Sequence, residues 1–399
     1  MYQIKETRQE GQTTLLIPAM LDDHFPLLRY AFFSKRYRPV ILETRQGVVD
    51  AGLRYGHNDM CYPFHLCLGQ YLQALRTGDY DLEHTALLMP SAGDACRGSN
   101  FTSLVRKALK DAGYPQVKVL TLNVKGLEKD QALVLEPYMV WRALFALYYG
   151  DILLLLTQQV RPYEEEPGAA NACRARWTET LARDMKGGRG LTLGRMKGNF
   201  RAIAADFAAI PRRRETKKRV ALVGELYTKY CALGNWDMVA FLEEEGCEAV
   251  VNGFSWYILY YVDNQLAASR GPRHVLWRGI DHFLASIQRS MVTAIWDQGF
   301  RCLEPFPAFK KNAWAYMSRQ LQVADGWLMG GEIVGHIQSG CRRVLAAQPF
   351  GCLPNHVCGR GQYAALARKF PEARVVSVDL DSSGTPSQVY NRVKMLIEG

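Results

Sequence analysis

The sequence predicts an α/β protein: two similar parallel-sheet domains with helices between and around them. Three observations carry this. Short apolar runs that end in turn residues occur in both halves, as in Thr14-Leu15-Leu16-Ile17-Pro18 and Arg219-Val220-Ala221-Leu222-Val223-Gly224, and helical patterns follow them. Strands alternating with helices of this length form a parallel sheet covered on both faces. From about Ala132 to Ile210 the strand signal disappears and helical periodicity takes over. With 399 residues, 48% hydrophobic and 22% charged, the chain is long enough for at least two ordinary cores. The expected units are an N-terminal α/β domain (1–131), a helical insert and linker (132–215) and a C-terminal α/β domain (216–399).

In chain order, Thr14–Ile17 and Pro39–Glu43 read as strands around a helix from Phe25 to Phe33. A helix through Leu66, Leu68, Tyr71, Leu72 and Leu75 opens near Cys61, with Pro63 suited to its first turn. Thr85–Pro90 is a strand, and Ser91 to Gly98 is the loop behind it. A helix with Phe101, Leu104, Val105 and Leu109 follows, then a strand from Val117 to Leu122. The insert holds helical stretches over Met139–Val160, Ala170–Met185 and Arg195–Ala209. The second α/β segment has strands at Arg219–Gly224, Glu248–Asn252, Arg343–Ala347 and Arg374–Asp379, and Thr385-Pro386-Ser387-Gln388 predicts a capping box.

Composition narrows the function. The segment Met1–Glu6 lacks a basic stretch followed by an apolar one, so no signal peptide is expected. The apolar run Tyr138–Thr157 is broken by Arg142 and Asp151 and falls short of a membrane span. A cytoplasmic protein is the expectation. The net charge of +10 is spread along the chain, its one dense run is Arg212 to Arg219, and no nucleic-acid-binding signature accompanies it. An anionic ligand such as a CoA ester, or an acidic partner, accounts for the charge as well.

Ten cysteines in a chain of this size are not a disulfide framework, and the absence of any Cys-x-x-Cys pair argues against zinc ribbons. Cys61, Cys96 and Cys352 stand out because each leaves a strand or opens a helix. A helix N-terminus stabilises thiolate, and Gly93, Gly98 and Gly351 beside them let backbone N–H groups approach sulfur. Cys67 and Cys358 follow in Cys-x5-Cys pairs, about 120° from their partners on a continuous helix. Cys173, Cys231, Cys247, Cys302 and Cys341 read as core or packing. Glu225, at a strand exit, and His356 are the acid–base candidates. His57 and His65 are further proton carriers, Arg97 and Arg360 could balance anionic charge, and Asp379 and Asp381 read as helix caps.

The stretches Asp59-Met60-Cys61-Tyr62-Pro63, Met89-Pro90 to Cys96-Arg97, and Gln348-Pro349-Phe350-Gly351-Cys352-Leu353-Pro354-Asn355-His356 resemble the 2-hydroxyacyl-CoA dehydratase-type iron-sulfur proteins. The likeness is greatest to the dehydratase-like part of the CoA-enzyme activase-related proteins. It runs from Leu15 to Ile397 and is weaker in the helical middle. The resemblance implies two flavodoxin-like domains that hold a [4Fe-4S] cluster through Cys61, Cys96 and Cys352, leaving one iron open. It also implies electrons from a separate ATP-dependent activator, since no P-loop motif occurs in this chain. Cys67 and Cys358 keep the related double-cubane cluster branch open.

The expected function is therefore dehydration of a 2-hydroxyacyl-CoA, or reduction of another small substrate, by a homo- or heterodimer. The alternatives are a non-catalytic electron-transfer or assembly subunit of a larger complex, and a cluster-free α/β protein that binds nucleotides or CoA. The last is disfavoured because no Gly-x-Gly-x-x-Gly turn directly follows a strand.

Overall fold

The computed structural model describes residues 10–90, 95–122 and 132–399; Met1–Glu6, the Ser91–Asp94 loop with Gly93, and the expected boundary at 131 lie outside them. The first sheet holds β1 (Thr13–Ile17), β2 (Tyr37–Ile41), β3 (Thr85–Pro90) and β4 (Lys118–Leu122), with α1 (Phe25–Phe32), α2 (Val48–Tyr55), α3 (Tyr62–Arg76) and α4 (Phe101–Asp111) between the strands. All its pairings are parallel, in the order β2-β1-β3-β4.

Three helices follow: α5 (Pro137–Val160), α6 (Ala169–Lys186) and α7 (Leu193–Ala208). The second half then runs β5 (Lys218–Gly224), α8 (Leu226–Tyr230), α9 (Met238–Glu244), β6 (Cys247–Val251), α10 (Ser255–Ala268), α11 (Gly271–Asp297), α12 (Phe306–Ala313) and α13 (Gly326–Gln338). It finishes with β7 (Arg343–Pro349), a π-helical turn at Asn355–Arg360, α14 (Gly361–Lys369), β8 (Arg374–Leu380) and α15 (Pro386–Glu398). Its sheet is also parallel, β6-β5-β7-β8, so the two halves share one topology. The molecule is thus a mixed α/β protein with two four-stranded parallel sheets.

In both sheets the strand order reverses between the first and third strands, which opens a crevice beyond their carboxyl ends. One continuous apolar core joins the sheets, from Leu15, Leu87 and Tyr71 to Leu222, Ala249 and Leu345. The other face of the second sheet packs on a helical core in which Phe145 and Leu156 of α5 and Phe200 of α7 meet Trp256, Met291 and Trp327 of α10, α11 and α13. The central helices therefore share a body with helices that belong, by sequence, to the C-terminal segment.

The segment Pro137–Tyr163 is long and apolar enough to cross a membrane, but 72% of its most apolar window is buried inside the molecule. Asp151, which interrupts it, is fully buried and accepts N–H groups from Phe254 and Ser255 at the start of α10 and a bond from His24 at 2.8 Å. It is a core helix, pinned through Asp151 to the start of α10 and to His24 just before α1. The capping box expected at Thr385–Gln388 does not form: Thr385 caps no backbone N–H, and its hydroxyl instead lies 3.3 Å from that of Ser387. Pro386 opens α15 as expected.

Candidate functional site

The three singled-out cysteines occupy equivalent local positions. Cys61 is the N-cap of α3, in extended conformation, with Pro63 in the first turn. Cys96 caps the short 3-10 turn Arg97–Asn100. Cys352 follows β7 and starts the helical segment that becomes the π-helix, its carbonyl accepting from His356 N at 2.9 Å. At each position the sulfur lies against N–H groups of a first helical turn. Cys61 accepts from the Phe64 N–H, Cys96 from Gly98 N at 3.3 Å, and Cys352 from the Asn355 main chain and from Asn355 Nδ2 at 3.4 Å. All three are partly exposed.

Arg97 ties the three segments together. Its guanidinium donates to the Asp59 carbonyl, two residues before Cys61. It also stands 3.3 Å from where a side chain on Gly351 would begin, and the φ of +71° there is what favours glycine. Glu225 lies on the floor, at the end of β5, where its carboxylate caps α8 by accepting from Thr228 N at 3.1 Å. Burial raises its pKa. Burial, and then the Glu225 charge, push the Cys61 thiol up to about 12 and the Cys352 thiol higher still. Such sulfurs stay protonated at neutral pH unless a cation holds them as thiolates.

The other expected residues are distributed more widely. His356 bonds Asp379 at 3.0 Å, and Arg360 bonds the other oxygen of that carboxylate at 3.1 Å. Asp379 is therefore the anchor of the Cys352 turn within β8, and not the cap expected from sequence. Its pKa is lowered against the effect of burial by the Gln348 and His356 hydrogen bonds and by Arg360. His65 is buried between Ser382 and the His57 carbonyl, whereas His57 is exposed. Cys67 is buried in the core under Cys61, with Cys231 and Tyr227 as neighbours. Cys358 is buried on the π-helix.

Sequence reasoning missed the residues beneath Cys352. Asp325, at the mouth of α13, has its pKa raised to about 8 by burial and then by the charge of Glu225, and it accepts from Asn355 Nδ2 at 3.2 Å. Lys229 and Glu332 form a buried pair at 2.7 Å, joined by Asn252 at 3.0 Å. The available signals were the Asp325-Gly326 turn dipeptide and an asparagine three residues after Cys352.

A separate groove of about 830 Å³ lies along the edge strand β2 and α1. Apolar Phe25, Phe33 and Ile41 line it together with Arg29, Arg38 and Arg45 and the carboxylates Asp22, Glu43 and Asp79.

Among the described residues no group of three or more His, Cys, Asp or Glu side chains is set to hold a metal ion. A single tetrahedral ion needs sulfurs within about 4 Å of one another, given metal–sulfur bonds of about 2.3 Å. A cluster of several irons spreads its thiolates more widely.

No family profile matches the chain, and no curated protein matches it. Among solved structures it has a weak likeness to tagatose-6-phosphate ketose/aldose isomerase from Escherichia coli, at 12% identity and a TM-score of 0.20. That alignment covers 61% of this chain and 56% of the isomerase.

Proposed function

We propose that this chain is a cytoplasmic iron-sulfur protein of the 2-hydroxyacyl-CoA dehydratase type. The observation that carries the reading is the set of three partly exposed cysteines, each at the start of a helical turn and each accepting an N–H, from segments gathered by Arg97. The donor set suits a [4Fe-4S] cluster held by Cys61, Cys96 and Cys352, since cluster sulfurs and thiolates are stabilised by such donors. When bound, the cluster would supply low-potential electron transfer and, at an iron without a protein ligand, a Lewis acid.

The chain's own residues would do the rest. Glu225 is placed near both Cys61 and Cys352, where a carboxyl with a raised pKa can hold a proton. Arg29 and Arg38 along the β2 groove would suit an anionic thioester such as an acyl-CoA, whereas Arg45 is held by Asp237. Phe350, Leu353 and Val357 of the Cys352 turn are 64%, 50% and 58% exposed. This apolar rim would seat the separate ATP-dependent activator.

Anaerobic reconstitution followed by iron and sulfide analysis tests the reading. The wild type should take up iron and become coloured, and Cys96→Ala and Cys352→Ala should lose it. A colourless wild type, or variants that retain full iron, would end the proposal. Turnover of a 2-hydroxyacyl-CoA with activator present separates an enzyme from an electron-transfer subunit.

A further inference from the structure

The helical hairpin formed by α10 and α11 carries at its tip a set of residues that the cysteine site does not use. α10 stops at Ala268, and the Leu266 carbonyl closes the turn by accepting from Ser269 N at 3.2 Å, Ser269 Oγ at 2.9 Å and His274 Nδ1 at 3.2 Å. Gly271 then takes φ +59°, and Pro272 lies in the first turn of α11. From 270 to 279 only His274 and Trp277 are half-buried and every other residue is exposed, so the opening turns of α11 stand clear of the core on almost all sides.

Val275 and Leu276 sit on these turns at 70% and 62% exposure, the two most exposed branched aliphatic side chains among the described residues. Arg270, Arg273 and Arg278 surround them, and the chain carries no carboxylate from 264 to 280. The nearest acids in sequence face the core: Asp263 pairs with Lys310 at 2.6 Å, and Asp281 is half-buried within reach of the same lysine's charge. None of the three arginines has an ion-pair partner among the described residues. A symmetric contact with a second copy of this chain would bring these arginines together, which like charge opposes. An acidic protein would have to supply a pocket matched to the tip. Anionic phospholipid headgroups part around apolar side chains and offer phosphates to the arginines, and the net charge of +10 draws the chain towards them.

We propose that the tip of the α10–α11 hairpin is a peripheral membrane contact: Val275 and Leu276 enter the headgroup region of an anionic phospholipid surface while Arg270, Arg273 and Arg278 bind its phosphates. The contact is independent of the iron-sulfur reading, because the tip shares no residue with the Cys61, Cys96 and Cys352 segments.

The test sediments the full chain with vesicles of phosphatidylcholine mixed with phosphatidylglycerol, and with vesicles of phosphatidylcholine alone, over a series of salt concentrations. The wild type should bind the mixed vesicles, lose affinity as salt rises, and leave the neutral vesicles unbound. Arg273→Gln combined with Arg278→Gln should weaken binding by about fivefold for each arginine removed, the worth of one basic residue near an anionic surface. Val275→Ser combined with Leu276→Ser should weaken it as well, at unchanged charge. Arg213→Gln combined with Arg214→Gln removes as much charge near the other end of α11, where Arg212 lies over Phe300, and should leave binding nearly unchanged. All six positions are exposed, so every variant should keep the wild-type urea midpoint. A wild type that binds neither kind of vesicle or both alike, a control pair that loses as much as the tip pair, or a serine pair that binds like the wild type overturns the proposal. Self-association of the chain that the serine pair abolishes would assign the tip to a second copy and also overturns it.

Discussion

Asp325, the N-cap of α13, and His336, near the end of that helix, are both buried, and the fold shifts their protonation in opposite senses. Burial, then Glu225, raises Asp325 to about 8, so the folded chain holds a proton there that an unfolded aspartate releases near pH 4. Its contribution to stability is complete in acid and lost as pH rises towards 8. Burial, with Lys229 and Arg219 nearby, lowers His336 to about 3, so its contribution is present above about pH 6.5 and lost as pH falls below that. Chemical denaturation of the metal-free protein at a series of pH values should show stability declining between about pH 6 and 8, with a slope of at most about 1.4 kcal/mol per unit from Asp325. Asp325→Asn should flatten that slope and leave the acid-side decline in place. A wild-type curve that is flat over this range would show that Asp325 titrates as an ordinary carboxylate.

At the scale of elements, the position of Cys61 depends on how closely α2 and α3 approach. A Cβ on Gly69 of α3 would lie 1.8 Å from the Val48 carbonyl oxygen at the start of α2, and one on Gly52 would lie 2.0 Å from that of His65. Backbone meets backbone at both points, so neither neighbour can move aside as a side chain could. Gly69→Ala should therefore separate the helices and cost about 1–3 kcal/mol, as overpacking does, measurable as a lower urea midpoint with an unchanged slope. It should also weaken iron uptake, because Cys61 caps the displaced helix. The π-helix after Cys352 belongs to the same scale. Such segments are rare and occur often at functional sites, and here it places Asn355 against the Cys352 sulfur and His356 against Asp379.

Across the whole molecule, the two halves are bound by more than the shared core. Ala232 N donates to Asp22 at 2.8 Å, Arg45 pairs with Asp237 at 2.6 Å, and the Trp236 indole donates to Tyr62, next to Cys61, at 3.0 Å. Trp236 and Asp237 are held there at φ +54° and +56°. These contacts fix the two halves against each other, and Phe350, Leu353 and Val357 of the Cys352 turn remain exposed. Phe350→Glu should leave folding within about 0.5 kcal/mol, as surface changes do. On the proposed function it should abolish reduction by a separate ATP-dependent activator while chemical reduction by dithionite proceeds normally. Equal loss of both would show that the turn, and not a docking surface, had been damaged.

The sequence by itself determined the repeated strand–helix alternation, the parallel sheets, and the placement of Cys61, Cys96 and Cys352 at helix starts. These follow from local periodicity and turn chemistry, which act over a few residues. Only the tertiary structure decided that Arg97 reaches both the Asp59 carbonyl and the Gly351 turn, that Asp379 anchors His356 and caps no helix, and that Asp325 lies under Asn355. It also decided that α5 and α7 share one core with α10, α11 and α13. These are contacts between segments far apart in the chain. Their partners are selected by shape and charge at the meeting of two sheets, and a pattern that repeats every two or 3.6 residues carries no record of which distant side chain will complete a hydrogen bond.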